Sequence, residues 1–474
     1  MGKPEIPLCV DLDGTLIPGD LLLESCIALL RQNPFYLILL PCWLWRGKAY
    51  LKAQIASRAR LNHSALPFHQ ELIAWLREQK RRGRPLWLCT GANYRLAQAV
   101  ADHLKLFDGV LSSSDTHNLS GHRKAHSLAE KFGAKGFDYC GNHRVDLAVW
   151  SMSRGGVVVN ASKGLEAEAR AVTHVYKTFA PHSHVVHAIV KTLRPHQWVK
   201  NILLLVPLAA AHELGEPSAV GAALLAVVTF SLCASSVYVL NDMLDVESDR
   251  QHPGKARRPF ASGQLSLLAG FGLAPALLAG AWAAAWPLPW AFKGVLCGYY
   301  ALTLAYSTVL KRLVVADVVV LAALYTIRIV AGAMAVGVAL SFWLLMFSLA
   351  LFFSLALVKR YAELKVMQRE CRLESAGRGY RLEDLAIVES LGTAAGYVSV
   401  VVLALYINSP AVEMLYRQPQ IIWVLCMLLL YWISRVWVLA HRGMMHDDPV
   451  VFALKDRTSL AIGVCGALTV YFAT

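Results

Sequence analysis

Three aspartates, Asp242, Asp245 and Asp249, follow a long apolar stretch in the segment NDMLDVESDRQHP. Their spacing of i, i+3 and i+7 places them within about 60° of arc on one face of a helix. Carboxylates this close repel one another unless a cation lies between them, and Mg²⁺ prefers carboxylate oxygens together with substrate phosphates. The spacing therefore predicts a magnesium–diphosphate site, with a solvated acidic loop as the simpler alternative.

Polar and basic residues beside the aspartates favour the site over the loop. Asn241 precedes the first aspartate and His252 follows the last. The cluster KARRP adds three cations that would meet a phosphorylated substrate from the far side: Lys255, Arg257 and Arg258. We therefore expect a phosphorylated substrate to bind at this end of the apolar stretch.

A second pair of charges lies in a later apolar stretch. Arg328 follows Asp317 by eleven positions, about 20° from the same helical azimuth and roughly three turns deeper. An ionised side chain inside a membrane span is a functional hypothesis by default. We predict Asp317 as the electrostatic neighbour of Arg328, the alternative being a structural arginine bonded to helix carbonyls.

Near the N-terminus, Asp11 and Asp13 end the apolar run of IPLCVDLDGTL. Short apolar runs that end in polar loops are typical of buried parallel strands, and three more follow: RPLWLCTGA, GFDYCGN and GGVVVN. The helical segment between the first two runs has an apolar part, 35–45, that is too short to span a bilayer. It is either an interfacial helix pair on the membrane or a buried cap over an α/β domain.

The elements that must position these residues divide the chain into two parts. Of 474 residues, 56% are hydrophobic and 16% are charged, which is too apolar for an ordinary soluble enzyme. We predict an α/β domain over 1–180, a linker over 181–195 and a polytopic all-α membrane domain over 196–474. The N-terminal stretch lacks the apolar core of a signal peptide, so the first domain is expected in the cytosol.

Apolar runs in the second part reach about the length that a spanning helix needs. We expect about nine spans, near 199–213, 217–240, 265–287, 290–310, 315–337, 340–358, 386–407, 419–440 and 457–473. Lys and Arg gather in alternate loops, so the positive-inside rule places the N-terminus and all candidate sites in the cytosol and the C-terminus outside. The net charge of +14 lies in these loops without a nucleic-acid-reading motif, and we expect no nucleic-acid partner.

The aspartate segment resembles the NDxxDxxxD motif of the UbiA-type intramembrane prenyltransferases. LRPHQWVKN, HPGKARRPFASG and YSTVLKR narrow the resemblance to the polyprenyl-phosphate phosphoribosyltransferase branch. It implies a nine-helix fold in which the three aspartates hold Mg²⁺ and the diphosphate of phosphoribosyl pyrophosphate, with a polyprenyl phosphate as nucleophile. The second aspartate pair of many relatives, DxxxD, is incomplete, because Leu321 stands where the partner of Asp317 would be.

Basic residues at the cytosolic ends of spans fit a reaction centre that holds two anions. Lys200, Arg258 and Lys311 rank first as phosphate ligands, Lys359 and Arg360 are further candidates, and Tyr306 and Arg328 belong to the expected substrate-binding set. Snorkelling and topology signalling are the alternatives for the residues at span ends.

The DLDGTL segment resembles the first motif of the haloacid-dehalogenase-like phosphatases, which have a Rossmann-like α/β domain with a helical cap. The resemblance implies that Asp11 attacks phosphorus and that Asp13 is the general acid and base. Later motifs match three more positions: Thr90 for phosphate, Lys124 for charge balance and Asp146, with Asp11 and Asp13, for Mg²⁺. Asn142 stands where relatives often carry an aspartate. The alternative is an inert domain kept as a scaffold.

Together these resemblances predict a bifunctional enzyme of the bacterial inner membrane. It would transfer 5-phosphoribose to a polyprenyl phosphate and then remove the 5-phosphate, supplying lipid-linked ribose or arabinose donors for the cell envelope and cell wall. One alternative is a prenyltransferase acting on an aromatic acceptor, with the first domain hydrolysing pyrophosphate or serving as a scaffold. The non-enzymatic alternative is a transporter or a lipid-binding scaffold.

Overall fold

The fold is described from a computed structural model that covers 6–33, 35–180, 185–252, 254–369, 379–409, 412, 416–445 and 448–474. The chain forms two compact units: Met1–Leu193 with Tyr238–Pro275, and Arg194–Val237 with Ala276–Thr474. The aspartate segment thus belongs to the same unit as the predicted α/β domain.

The first unit contains a six-stranded sheet in the order β3-β2-β1-β4-β5-β6, with every pair parallel. The strands are β1 Leu8–Val10, β2 Leu86–Asn93, β3 Gly109–Ser113, β4 Asp138–Gly141, β5 Gly155–Val159 and β6 His174–Phe179. The four predicted strands are β1, β2, β4 and β5. The edge strands β3 and β6 were missed because only one side of an edge strand is paired, so they lack a continuous apolar run.

Helices cover both faces of this sheet and bury one apolar cluster on each side, which confirms the predicted α/β architecture. Four helices lie between β1 and β2, and the first three of them cover the apolar helical segment predicted there. The helices are α1 Leu21–Gln32, α2 Tyr36–Trp45, α3 Lys48–Ala56, α4 Gln70–Arg81, α5 Tyr94–Leu104, α6 His122–Phe132, α7 Leu147–Met152 and α8 Lys163–Val172.

The rest of the described chain is helical. Its helices are α9 Val185–Leu193, α10 Pro195–Trp198, α11 Val206–Ala210, α12 Pro217–Leu244, α13 Val246–Gln251, α14 Leu267–Ala284, α15 Trp290–Thr308, α16 Ala316–Val336, α17 Phe342–Arg369, α18 Leu385–Ile407, α19 Trp423–His441, α20 Pro449–Lys455 and α21 Arg457–Ala473. Short 3-10 helices occur at His63–Ala65, Arg144–Asp146, Val199–Leu205, Leu310–Arg312, Leu382–Asp384 and Pro419–Ile422. Helix α9 lies in the predicted linker, whose residues 181–184 are outside the described ranges.

Six helices among the described residues are long and apolar enough to cross a membrane. They are Pro217–Leu244, Leu267–Ala284, Ala316–Val336, Phe342–Arg369, Leu382–Ile407 and Pro419–His441. Two more predicted spans form the helices α15 and α21, which fall outside this set of six. The prediction of one helix over 199–213 is wrong: a 3-10 helix is followed by the short α11, with Pro207 in its first turn. Proline lacks the N–H that a continuous helix would need there.

A close backbone contact inside the second unit depends on a glycine of α16. A Cβ on Gly332 would lie 2.1 Å from the carbonyl oxygen of Leu204. Backbone atoms cannot move aside as a flexible side chain can, so only glycine allows α16 to approach the 3-10 helix Val199–Leu205 this closely.

Gly332→Ala should lower the stability of the protein by about 1–3 kcal/mol through this overlap. The matched control is Gly298→Ala in α15, where an added Cβ meets nothing within 4 Å and alanine favours the helix. Thermal unfolding in detergent measures both. Equal midpoints for the two variants would contradict the proposed backbone contact.

Candidate active sites

The first candidate site lies where three neighbouring parallel strands end. Strand β1 lies between β2 and β4, so their carboxyl ends share one edge of the sheet, where α/β proteins bind ligands. Asp11 follows β1 and donates its backbone N–H to Cys140 at 2.9 Å. Thr90 lies in β2 and Asn142 follows β4. The topology therefore brings together residues that are up to 131 positions apart.

A buried chain of hydrogen bonds leads inward from the predicted nucleophile. Lys124 of α6 donates to Asp11 Oδ1 at 2.9 Å and to the Tyr139 hydroxyl at 3.0 Å. Tyr139 donates in turn to Asp146 Oδ1 at 2.9 Å. Burial raises the pKa of Asp11 to about 6, even though Lys124 acts to lower it. The pKa of Lys124 is also raised: burial lowers it, but Asp11 and Asp146 outweigh burial. A charged pair at neutral pH results.

Asp13 has a different environment from Asp11. Its Oδ1 accepts the backbone N–H of Leu21, the first residue of α1, at 2.7 Å. Burial and then the nearby charge of Asp20 raise the pKa of Asp13 to about 7. Burial thus raises the pKa of both carboxyls, and at Asp11 a hydrogen-bonded lysine opposes the effect.

Asp146 and Asn142, which lie in the loop after β4, make different contacts. Asp146 Oδ2 accepts the backbone N–H groups of Asn142 at 3.1 Å and His143 at 3.0 Å, and so holds this loop in place. The Asn142 side chain accepts from the Thr15 hydroxyl at 3.3 Å and lies against Gly14, inside the DLDGTL segment. Asn142, which stands where the phosphatase motif often has an aspartate, therefore contacts the DLDGTL segment directly.

Thr90 is fully buried, and its hydroxyl oxygen accepts the backbone N–H of Ala92 at 3.0 Å. Lys52 of α3 was not predicted as a site residue, but it donates to the Gly91 carbonyl and to Asn118 at 2.5 and 2.7 Å. A cation from the segment between β1 and β2 thus reaches the residue beside Thr90.

The aspartate segment forms the second candidate site. Helix α12 ends at Leu244 and α13 begins at Val246, but the backbone bonds from Asp245 to Asn241 and from Asp249 to Asp245, both 2.8 Å, continue the helical pattern. One nitrogen of Arg258, Nη1, lies 3.1 Å from Asp242 and 2.7 Å from Asp249. Two of the three carboxylates therefore converge on one positive charge, as their helical spacing predicts.

This convergence fits a site for a cation. Asp242 and Asp249 are 3% and 2% exposed, and buried carboxylates need a positive partner. Carboxylate oxygens are the donors that Mg²⁺ prefers. Within the described ranges, no group of three or more His, Cys, Asp or Glu side chains has the arrangement of metal ligands. Magnesium binding at Asp245 and its neighbours, and at Asp11, Asp13 and Asp146, stays a prediction.

The basic cluster after the aspartates does not act as one group. Arg258 bonds the aspartates, although it was predicted as a phosphate ligand. Lys255 and Arg257 are exposed, and the Arg257 carbonyl accepts from Lys191 of α9 at 2.8 Å. Only the two exposed cations thus extend toward solvent.

A buried ion pair connects the two candidate sites of the first unit. Two nitrogens of Arg250 in α13 donate to the two carboxylate oxygens of Glu24 in α1 at 2.6 and 3.0 Å, and Nε donates to the Ala261 carbonyl at 3.0 Å. Arg31 and Glu247 lie 3.6 Å apart along the same pair of helices. Sequence reasoning missed this contact. The sequence feature that could have indicated it is Glu24, a single acidic residue in the otherwise mostly apolar helix α1.

In the second unit, Asp317 and Arg328 have different partners, so the predicted pairing is wrong. Asp317 accepts from Arg360 Nε at 2.5 Å and from the Tyr380 hydroxyl at 2.7 Å. Eleven residues of helix separate its Cα from that of Arg328 by about 16 Å, too far for an ion pair.

Arg328 instead bonds neutral groups, as the structural alternative requires. It donates to Asn201 and to the Tyr299 hydroxyl, both at 3.0 Å, and to the Leu324 carbonyl. Tyr306, another predicted site residue, accepts from Arg360 at 3.1 Å. These two predicted ligands therefore stabilise contacts between helices.

Two predicted phosphate ligands share a carboxylate that sequence reasoning missed. Asp448 Oδ2 lies 2.8 Å from Lys200 Nζ and 3.3 Å from Lys359 Nζ, and Oδ1 accepts from the Tyr325 hydroxyl at 2.9 Å. Two lysines and a hydroxyl converge on one anion here. The signal in the sequence is an acidic pair, DDP, in an otherwise basic loop. Lys311 lies in the 3-10 helix Leu310–Arg312 after α15.

Six candidate spans and an aspartate segment at the end of a span define a polytopic membrane enzyme. The UbiA prenyltransferase family model matches residues 202–455, and the chain belongs to that family. It is 37% identical to uncharacterized protein y4nM of Sinorhizobium fredii over 97% of this chain and 89% of that protein. It is also 39% identical to nodulation protein NoeC of Azorhizobium caulinodans over 56% of this chain and 87% of that one.

Decaprenyl-phosphate phosphoribosyltransferase of Mycobacterium tuberculosis is 40% identical over 40% of this chain and 64% of that enzyme. A solved UbiA homolog from Archaeoglobus fulgidus, bound to GPP and Mg²⁺, aligns with 60% of this chain and 98% of its own. That alignment has 15% identity and a TM-score of 0.47.

Arg258→Gln should destabilise the metal-free protein, because Asp242 and Asp249 lose their common cation and repel each other. In EDTA we expect a melting temperature several degrees below that of Arg257→Gln, the exposed neighbour that serves as control. Added Mg²⁺ should restore part of the loss. An equal melting temperature for both variants in EDTA would contradict the role given to Arg258.

The raised pKa of Asp13 predicts a pH dependence of stability. Its value of about 7 in the folded protein exceeds the ordinary 3.8, so the folded state binds more protons between these values and loses stability as pH rises through them. Asp13→Asn should reduce this loss. Melting temperatures in EDTA from pH 4.5 to 7.5 measure it, and equal slopes for wild type and variant would contradict the prediction.

Proposed function

We propose that this enzyme transfers 5-phosphoribose from phosphoribosyl pyrophosphate to a polyprenyl phosphate and then removes the 5-phosphate. The observation that carries the transferase half is the convergence of Asp242 and Asp249 on one positive charge, at 3.1 and 2.7 Å. The similarity to decaprenyl-phosphate phosphoribosyltransferase supports the choice of substrates, although the alignment covers 64% of that enzyme.

In the transferase half, Asp242, Asp245 and Asp249 would hold Mg²⁺ beside the diphosphate of the sugar donor. When bound, Mg²⁺ would supply positive charge for the departing pyrophosphate. An oxygen of the lipid phosphate forms the new bond to the anomeric carbon as the bond to pyrophosphate breaks. A phosphate monoester is already ionised at neutral pH, so this step needs no general base.

The lipid phosphate needs cations to hold it in line with the sugar. Lys200 and Lys359 are suited to this role, since both already bind an anion, the carboxylate of Asp448. Lys311 and the exposed Lys255 and Arg257 are the further candidates.

In the phosphatase half, Asp11 attacks the 5-phosphate to give an aspartyl-phosphate while Asp13 protonates the departing sugar oxygen. Asp13 then takes a proton from water, which attacks phosphorus and releases inorganic phosphate and free Asp11. The geometry supports these roles: Asp11 is paired with Lys124 at 2.9 Å, and the pKa of Asp13 is raised to about 7.

Carrying both reactions on one chain would make the two-step conversion irreversible. Transfer leaves the lipid-linked sugar with a 5-phosphate, and hydrolysis of that phosphate prevents the reverse transfer. We place both reactions at the cytosolic side of a bacterial inner membrane, where they supply lipid-linked ribose or arabinose donors for the envelope.

The test uses purified protein in detergent with Mg²⁺, polyprenyl phosphate and radiolabelled phosphoribosyl pyrophosphate. Thin-layer chromatography should show a dephosphorylated lipid-linked sugar for wild type. Asp11→Asn should accumulate the phosphorylated form, and Asp245→Asn should lower incorporation of label by about 100-fold or more, as loss of charge stabilisation does.

Asp102→Asn, in α5 with its side chain bonded to Gln98, is the control and should match wild type. Label that enters lipid in no lane would overturn the phosphoribosyl proposal, and prenyl diphosphates with aromatic acceptors would be tested next. Label that enters lipid but keeps its 5-phosphate in wild type would overturn the phosphatase half alone.

A further inference from the structure

Helix α2 exposes a continuous group of large apolar side chains. We call this group the α2 patch; its members are 50–93% exposed and comprise Phe35, Leu37, Ile38, Leu44 and Trp45. Single exposed apolar residues are normal on proteins, whereas contiguous ones mark an interaction surface.

The exposure does not come from a loose helix. The opposite face of α2, with Trp43 buried and Tyr36 and Leu40 partly buried, packs into a cluster with Leu29 of α1 and Ile55 of α3. The packed cluster beneath α2 therefore holds the patch toward the outside. Exposing this apolar surface to water costs free energy, which a binding partner would offset.

The chemistry around the patch fits a lipid bilayer. No charged residue occurs in 35–45, while the exposed cations Arg31, Arg46 and Lys48 flank it. Apolar side chains with a terminal tryptophan and flanking cations are the pattern of interfacial helices on anionic membranes. Ten helical residues extend about 15 Å, half of the hydrocarbon thickness, so α2 cannot span.

A bilayer is also within reach of this unit. The unit itself contains Tyr238–Pro275, which includes the ends of two candidate spans, α12 and α14. A soluble protein partner would need to compete with the lipid that already surrounds those spans. We propose that the α2 patch inserts into the boundary between the headgroups and acyl chains of the bilayer.

Insertion would place the phosphatase site at the lipid surface. Helix α1, which packs against α2, begins at the residue bonded by Asp13. If the proposed phosphatase reaction holds, the patch favours a lipid-linked phosphosugar over a soluble phosphate ester. This step rests on the proposed function; the membrane contact itself does not.

The membrane contact is tested with a bimane label on Cys42, an exposed cysteine of α2, in full-length protein. Cys297, Cys371 and Cys465 are changed to Ser, and the protein is placed in vesicles of phosphatidylcholine and phosphatidylglycerol with doxyl-labelled acyl chains. The control carries the label at Ala167→Cys in α8, in the same background with Cys42→Ser. We expect at least about threefold stronger quenching at Cys42, as for a side chain at the acyl boundary. Equal quenching would overturn the proposal.

The kinetic test combines Leu37→Gln, Ile38→Gln and Leu44→Gln. We expect kcat/KM for the lipid-linked phosphosugar to fall about 10-fold from lost membrane insertion, while hydrolysis of p-nitrophenyl phosphate stays unchanged and reports correct folding. Val172→Gln, an exposed apolar residue outside the patch, should change neither. An unchanged kcat/KM for the lipid substrate would overturn the role of the patch. A wild type without phosphatase activity would overturn the proposed function, and the quenching would still decide the membrane contact.

Discussion

Buried carboxylates that need a positive partner organise both units of this protein. Removing one partner from a buried ion pair costs about 3–5 kcal/mol, so each such carboxylate dictates where a cation must lie. Asp11 holds Lys124, Asp242 and Asp249 hold Arg258, and Asp317 holds Arg360. Asp448 holds two lysines. Each pair joins residues from different elements, so these charges also determine how the elements meet.

The Glu24–Arg250 pair shows what this constraint implies for function. Glu24 lies one turn into the helix whose first N–H is bonded by Asp13, and Arg250 directly follows Asp249. A bidentate pair of this kind is directional. The pair therefore joins α1, whose first N–H is bonded by Asp13, to α13, which carries Asp249. The aspartate segment and the α/β domain belong to one compact unit, and this pair is one of the contacts between them.

Membership of the UbiA prenyltransferase family accounts for the membrane part of the chain, and the parallel sheet accounts for the part before it. The proposed function explains why these two parts occur in one chain. A transferase that leaves a phosphate on its product and a hydrolase suited to phosphate esters have complementary chemistry. The α2 patch would bring that hydrolase to the surface where a lipid-linked product is found.

The sequence by itself determined the division into an α/β part and a membrane part, four of the six strands, and the aspartate spacing, because these depend on local periodicity and hydropathy. It did not determine the partners of Asp317 and Arg328, the Glu24–Arg250 pair or the role of Asp448. Those contacts join side chains separated by up to 248 positions in the sequence. The position of a residue around its own helix does not reveal which neighbouring helix or loop faces it. Only the tertiary structure decided them, because the low dielectric of a packed interior makes each buried charge select the nearest opposite charge that packing can supply.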